Sequence, residues 1–336
     1  MELTATRLDF ASEADAVEHY FEAGWTDGLP VVPPTPERVT AMLAAAGVSP
    51  DEVLGGVPTR NVVITAEAAA VNAVMAGCAP EYFPVVVAAL RAHLQVKGNS
   101  HSTTATLAGA AQVIVVNGPV RNELGIACGQ ACFGPGFRPN ATIGRALRLV
   151  IRNVCRSIPG VLDRATFSWP LRYSFCFGEN EEFSDWTPLH VQRGYEPGDS
   201  VATVISLMHL DRAQEFAAEP EAIMASITAV ARQTGVGHDE FLGDGRSIML
   251  VFGQEHHRRL LDAGWTKQRV QEHLWPLLEA ETRDRYDRRL DLAGPDNILV
   301  VAAGGPGMAD TWMFLPHLSN PVSEKVVKAG TTGSSG

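Results

Sequence analysis

Apolar residues keep a helical spacing through most of the first sixty residues and then give way to short β-branched runs separated by helical stretches. Ser12 stands as an N-cap before a helix over Glu13–Ala23, and Thr35-Pro36 opens a second helix that ends near Gly47. Between them, Asp27-Gly28-Leu29-Pro30-Val31-Val32-Pro33-Pro34 carries too much proline for a helix and must run extended or turned, as a strap from one element to another. From Asn61 onward strands are expected at Val62–Ile64, Val113–Val116, Tyr173–Phe177, Val201–Leu207, Ile248–Phe252 and Ile298–Val301. Helices are expected at Ala66–Ala76, Tyr82–Leu94, Ala141–Cys155, Glu221–Gln233, His256–Ala263 and Lys267–Glu279. Val113–Val116 is apolar without alternation, as in a strand covered on both faces.

The order of these elements recurs at separations of about 126 to 140 residues. Val62 and Val201 each open a strand, Pro80 and Pro220 each precede a long helix, and strands ending at Gly118 and Gly178 have counterparts ending at Gly253 and Gly304. Trp186 with His190 and Trp312 with His317 extend the parallel. The expected fold is therefore α/β, two related α/β halves with pseudo-twofold symmetry preceded by a helical N-terminal segment. The boundaries are 1–60 for that segment, 61–195 and 196–328 for the halves, and 329–336 for a Gly/Ser/Thr-rich flexible tail. Ligands of open α/β sheets bind beyond the carboxyl ends of strands, so the loops that begin at those four glycines are expected to line a cleft. A second echo, Ala-Gly-Trp-Thr at Ala23–Thr26 and Ala263–Thr266, is explained by helix termination: Gly as the left-handed residue past the end, Trp as its hydrophobic contact and Thr as the next cap.

Composition narrows the function classes. The 336 residues are 46% hydrophobic and 19% charged, a globular balance far from that of disordered chains. The formal charge is −11 and no basic face is segregated from the rest, which argues against nucleic acid as a partner. No run approaches the roughly 20 apolar residues of a membrane span, and Met1–Ala16 lacks the apolar core of a signal peptide, so a cytoplasmic location with no membrane partner is expected. Five scattered cysteines, Cys78, Cys128, Cys132, Cys155 and Cys176, argue for reduced thiols rather than a disulfide framework. A homo-oligomer is compatible with all of this, and no cofactor is specified.

Candidate chemistry concentrates in Gly125–Thr142, a glycine-rich loop that feeds a helix. The free N–H groups and positive dipole end of a helix start favour an anion, so Gly134, Gly136, Arg138, Asn140 and Arg145 are the expected substrate-binding residues. A cysteine held there would have a depressed pKa and be present as thiolate, and Cys132 is the best placed. The Cys128-x-x-x-Cys132 spacing is neither the redox pair Cys-x-x-Cys nor a zinc spacing, and whether Cys128 acts with Cys132 stays open. The alternative is structural: both cysteines as small buried hydrophobes, with the glycines serving a tight backbone crossing. Walker A and dinucleotide fingerprints are absent.

A second constellation, Gly178-Glu179-Asn180-Glu181-Glu182 followed by Trp186 and His190, sets carboxylates at a strand end near an imidazole. Glu179 and His190 could move protons or, with one of His256 and His257, hold a divalent metal; an acidic loop that is merely solvated is the bland alternative. His101, in a polar loop without an acid to orient it, reads as a hydrogen-bonding loop residue, and Gly304-Gly305-Pro306-Gly307 as a turn able to approach a ligand.

The segment Gly24-Trp25-Thr26-Asp27-Gly28-Leu29-Pro30-Val31-Val32-Pro33-Pro34-Thr35 resembles one found in bacterial proteins connected with the UGSC-motif (seleno)protein family, and the glycine-rich turn after Val301 does so more loosely. The resemblance covers about a dozen residues. The Sec-Gly-Ser-Cys or Cys-Gly-Ser-Cys motif that names the family is missing, so its site transfers to no residue here. What the resemblance implies is thiol chemistry in a bacterial cytoplasm, with no substrate specified.

The leading expectation is an enzyme that acts on a small anionic molecule through a Cys132 thiolate, with His190 or Glu179 moving protons, by thiol redox or addition–elimination. The alternatives are a metal-dependent lyase or hydrolase built on Glu179 and His190, and a non-catalytic protein that binds a small ligand.

Overall fold

The computed structural model describes residues 2–234, 247–286 and 294–330, so residues 331–336 of the expected tail lie outside the described residues. Two helices open the chain, α1 (Glu13–Glu22) and α2 (Pro36–Ala46). The Ser12 hydroxyl accepts from Asp15 N, the Thr35 hydroxyl from Arg38 N, and Gly47 closes α2 in the left-handed conformation with φ 65°. The first sixty residues are not purely helical, however. Strand β1 (Val53–Val57) pairs antiparallel with β2 (Val62–Thr65) as a small ribbon apart from the main sheet. Its core, Leu-Gly-Gly-Val, carries too little β-branched character to declare itself in sequence.

Next come α3 (Ala66–Ala76), α4 (Phe83–Leu94), the short α5 (Ser100–Thr103), β3 (Ala111–Asn117), α6 (Val120–Leu124), α7 (Arg138–Asn153), β4 (Cys176–Gly178) and the single turn α8 (Leu189–Gln192). The remainder runs β5 (Val201–Gln214), α9 (Pro220–Thr234), β6 (Ile248–Phe252), α10 (Gln254–Asp262), α11 (Lys267–Tyr286), β7 (Ile298–Ala302), β8 (Asp310–Pro316) and β9 (Val322–Lys325). The strand expected at Tyr173–Phe177 shortens to β4, because Pro170–Arg172 form a 3-10 turn just ahead of it. The strand expected at Val201–Leu207 runs on to Gln214.

The main sheet is mixed, in the order β4-β3-β5-β8-β6-β7, with β9 also on β5. β3 lies parallel to β4 and antiparallel to β5, from Ala111 opposite Leu207 to Asn117 opposite Val201. β6 lies parallel to β7 and antiparallel to β8. The long β5 joins these groups, pairing with β3 over its first half and with β8 over Leu207–Gln214.

β3, β4, β6, β7 and the first half of β5 bury both faces, which is why their apolar runs do not alternate. Ile114 and Val116 of β3 lie in a core with α2, α3, α4 and α7; Ile248, Leu250 and Phe252 of β6 lie in another with α9, α10 and α11. The opposite faces converge, so that Val113, Val115, Phe177, Ile205, Met249, Val251, Val301 and Phe314 share a third core. The sheet is therefore curled, with helices outside and an aromatic interior in which Phe133 lies 4.7 Å from Phe177 and 5.7 Å from Phe314. Helix α4 is apolar almost all round and buried nearly throughout, as its Phe-Pro-Val-Val-Val-Ala-Ala-Leu sequence requires. Among the described residues no helix is long and apolar enough to cross a membrane.

Candidate functional site

Curling brings the two edge strands together at their carboxyl ends. Asn180 N, just past β4, donates to Ala302 O of β7 at 2.7 Å, and Gly304 N donates to Cys128 O at 2.8 Å. The glycines here are demanded by close approach. A Cβ on Gly305 would lie 2.6 Å from Gln130 Cβ, and one on Gly178 would lie 3.1 Å from Arg121 Cδ and 3.3 Å from Cys128 Cβ. The Gly125–Gly136 loop and the Gly304–Gly307 turn, distant in sequence, thus form one wall.

Cys132 does not sit at the helix start expected of it. It is buried in the aromatic interior, and burial pushes its thiol up to about 12, against the expected depression. The reason lies in the loop geometry: α7 starts only at Arg138, and two short turns, Cys132 N to Gly129 O and Gly134 N to Ala131 O, roll the Cys132 side chain inward before the helix begins. Asn140 fixes that roll. Its Oδ1 accepts from Ala127 N at 2.9 Å while its Nδ2 donates to Ala127 O and Cys132 O. Cys128 is the half-buried thiol of the pair, and its Sγ lies 3.8 Å from Arg121 Nη1. Burial raises this thiol above its ordinary value too, with the Arg121 guanidinium acting in the opposite direction.

The expected anion cradle has other occupations. Arg138 donates through Nε and Nη2 to Gly77 O, at 3.1 and 3.0 Å. Arg145 makes a two-pronged bond to the Asp27 carboxylate at 2.8 Å and reaches Leu29 O and Pro30 O, so it fastens the strap to α7 rather than facing the loop. Gly134 accepts a place in the turn above, and Gly136, at φ 118°, has open space around it.

The acidic loop is also tied down. Glu179 is buried and accepts from Asn117 Nδ2 at 2.6 Å, Leu189 N at 2.7 Å and Lys267 Nζ at 2.8 Å. Glu181 accepts from Gly118 N and Asn117 Nδ2. Glu182 takes both Nη groups of the buried Arg121, at 3.1 and 2.8 Å, which holds its carboxyl down at about 2. His190 is buried with both ring nitrogens lacking a hydrogen bond. Of the neighbouring pair, His256 bonds Thr311 Oγ1 and Glu215 O, and His257 bonds Ser184 Oγ at 3.0 Å and packs 4.3 Å from the Trp186 ring. Burial, helped by Lys267, lowers His257 to about 4. Among the described residues no group of three His, Cys, Asp or Glu side chains is placed to hold a metal ion, so the donor set expected of Glu179, His190 and His256 or His257 does not assemble.

Sequence reasoning missed Arg121 and Lys267. Arg121 had a legible signal, an arginine in the first turn after the β3 terminus at Asn117-Gly118; Lys267 had none, since its partner lies 88 residues away. Compared with known proteins, the chain matches no family model, no curated protein and no solved structure.

Proposed function

We propose that the protein is an enzyme acting on a small anionic molecule where the loops after β3, β4 and β7 meet, with Cys128 as the reacting thiol. The observation that carries this reading is the 3.8 Å approach of Cys128 Sγ to Arg121 Nη1 at a half-buried position. The Arg121 guanidinium works against the burial that raises this thiol, and it is itself held rigid by Glu181 and Glu182. Cys132, one wall deeper, is a second thiol for redox chemistry, whereas Cys128 alone suffices for addition to an activated carbon. The resemblance of residues 24–35 to UGSC-associated proteins is in keeping with thiol chemistry in a bacterial cytoplasm.

We infer also that the chain arose by duplication into pseudo-twofold halves. In support, a helix, a strand, two helices, a parallel strand and an antiparallel return recur as α4-β3-α6-α7-β4-β5 and α9-β6-α10-α11-β7-β8. In this pairing β5 answers to β8 and closes the first half, so that half runs past 195, Val62 and Val201 are not counterparts, and neither are Trp186, in the loop after β4, and Trp312, inside β8.

The test is iodoacetamide labelling of native protein with mass mapping, with and without sulfate or pyruvate. The reading expects Cys128 to label first and the anion to slow it. Labelling of Cys128 that no anion affects, or a Cys128 slower than Cys132, overturns it. A Cys128–Cys132 disulfide formed with one equivalent of hydrogen peroxide supports the redox class, and a stable adduct on Cys128 alone with an activated alkene supports addition.

A further inference from the structure

Away from that wall, a cavity of about 420 Å³ opens between α7, the segment 157–173 and the strap, within the size range of small-ligand sites. It is lined by Arg148, Arg152 and Arg172 and rimmed by Phe167, Trp169 and Tyr173. Three arginines around one hollow need partners, and only one has a carboxylate. Arg172 Nη1 pairs with Asp163 Oδ2 at 2.6 Å and takes Ser168 Oγ at 3.0 Å. Arg152 Nη2 reaches only the backbone, Gly24 O at 3.1 Å, and its Nε has no partner. Arg148 is 8% exposed, and its bonds go to Arg172 O at 3.1 Å and to Gln112 Oε1, both uncharged oxygens.

A buried guanidinium without a counter-ion is expensive to keep charged. Burial, with the neighbouring Arg172, lowers Arg148 to about 9, while Asp163 acts in the opposite direction. Two acids line the hollow and both are committed elsewhere, Asp163 to Arg172 and Asp27 to Arg145. A structural role explains the bond to Arg172 O, which fixes the chain ahead of β4, but not the placement of Arg148 and Arg152 on one open hollow.

The rim carries the second half of the argument. Phe167 is 93% exposed and Tyr173 48%, while Trp169 is held by its Nε1–H bond to Gly109 O at 3.1 Å. Two large apolar rings left in solvent beside a fixed indole make a surface for a flat apolar group. Phosphate or sulfate would use the arginines and ignore the rings.

We propose that this cavity binds a small aromatic carboxylate, its carboxylate on Arg148 and Arg152 and its ring against Trp169 and Phe167. The site is separate from the Cys128 wall and stands whether or not that reading holds.

Calorimetric titration of the full chain with benzoate, acetate and inorganic phosphate tests it. Benzoate should bind saturably and about tenfold more tightly than acetate, the ring adding apolar contact, and phosphate more weakly than either. Arg152→Met should abolish benzoate binding, and Phe167→Ala should reduce it to the acetate level; neither side chain belongs to a hydrophobic core, so both variants should fold even where Arg148→Met does not. Absence of saturable benzoate binding, unchanged binding in Arg152→Met, or phosphate binding more tightly than benzoate overturns the proposal.

Discussion

Glu179 and Lys267 meet at 2.8 Å with side chains 2% and 3% exposed, one following β4 and the other opening α11. The pair bolts together the two edges of the curled sheet. Because each charge is buried, removing one strands the other. Lys267→Met should cost about 3–5 kcal/mol in urea denaturation, and the double variant Lys267→Met/Glu179→Gln should recover a substantial part. Equal loss in the single and double variants would show that Lys267 matters for packing alone.

Alkylation should sort the cysteines by depth. Cys128 should react with iodoacetamide in native protein, while Cys132, with its thiol near 12, and Cys155, near 11, stay unreacted around neutral pH until the protein unfolds. A Cys128→Ser variant should lose nearly all fast labelling, and Cys132→Ser should keep it.

Acid should destabilise the fold through two buried imidazoles. Burial, with Arg148 and Arg60, lowers His93 to about 3, and burial with Lys267 lowers His257 to about 4. Both values lie below the unfolded one of about 6.5, so the stability they contribute is complete above that pH and is lost progressively as pH falls from there toward the folded values, because over that range only the unfolded chain takes up the protons. The urea midpoint should drop between about pH 7 and pH 4.5, and His257→Gln should flatten the slope. A midpoint constant over that interval would remove both histidines from the account.

Arg145→Ala should loosen the strap rather than weaken ligand binding. Losing the Asp27 carboxylate and two carbonyl contacts should cost about 1–3 kcal/mol and speed tryptic cleavage at Arg38; Asp27→Asn should act in the same direction. Arg138→Ala, whose guanidinium holds one exposed carbonyl, should be close to neutral.

Gly305→Ala should push the two glycine loops apart, since its Cβ would fall 2.6–3.0 Å from three Gln130 atoms. Overpacking of this kind costs about 1–3 kcal/mol, and faster alkylation of Cys128 should accompany it.

Local signals in the sequence were accurate where local physics decides. Ser12 and Thr35 cap their helices, and Gly24 and Gly264 end theirs at φ 70° and 71°, with Trp25 N and Trp265 N bonding back to Tyr20 O and Leu260 O. Strand β8 escaped because Asp-Thr-Trp-Met-Phe-Leu-Pro has little β-branched character and is stabilised by neighbours on both sides. The site was harder still. That Cys132 turns inward, that Arg145 serves Asp27 and that Glu179 is neutralised by Lys267 are all set by partners at least 88 residues distant or by a loop's rolled backbone. The cavity at Arg148 combines residues from the strap, α7 and the loop before β4, and only the folded chain unites them.

The fourteen residues of β5 hold hydrogen bonds to both groups of strands at once. Neither group can open without tearing the same strand, so heat or urea should release them in one cooperative step rather than as two melting units. A fragment that stops before Val201 would leave the full length of β3 as a bare apolar edge, the kind of surface on which chains stack into aggregates.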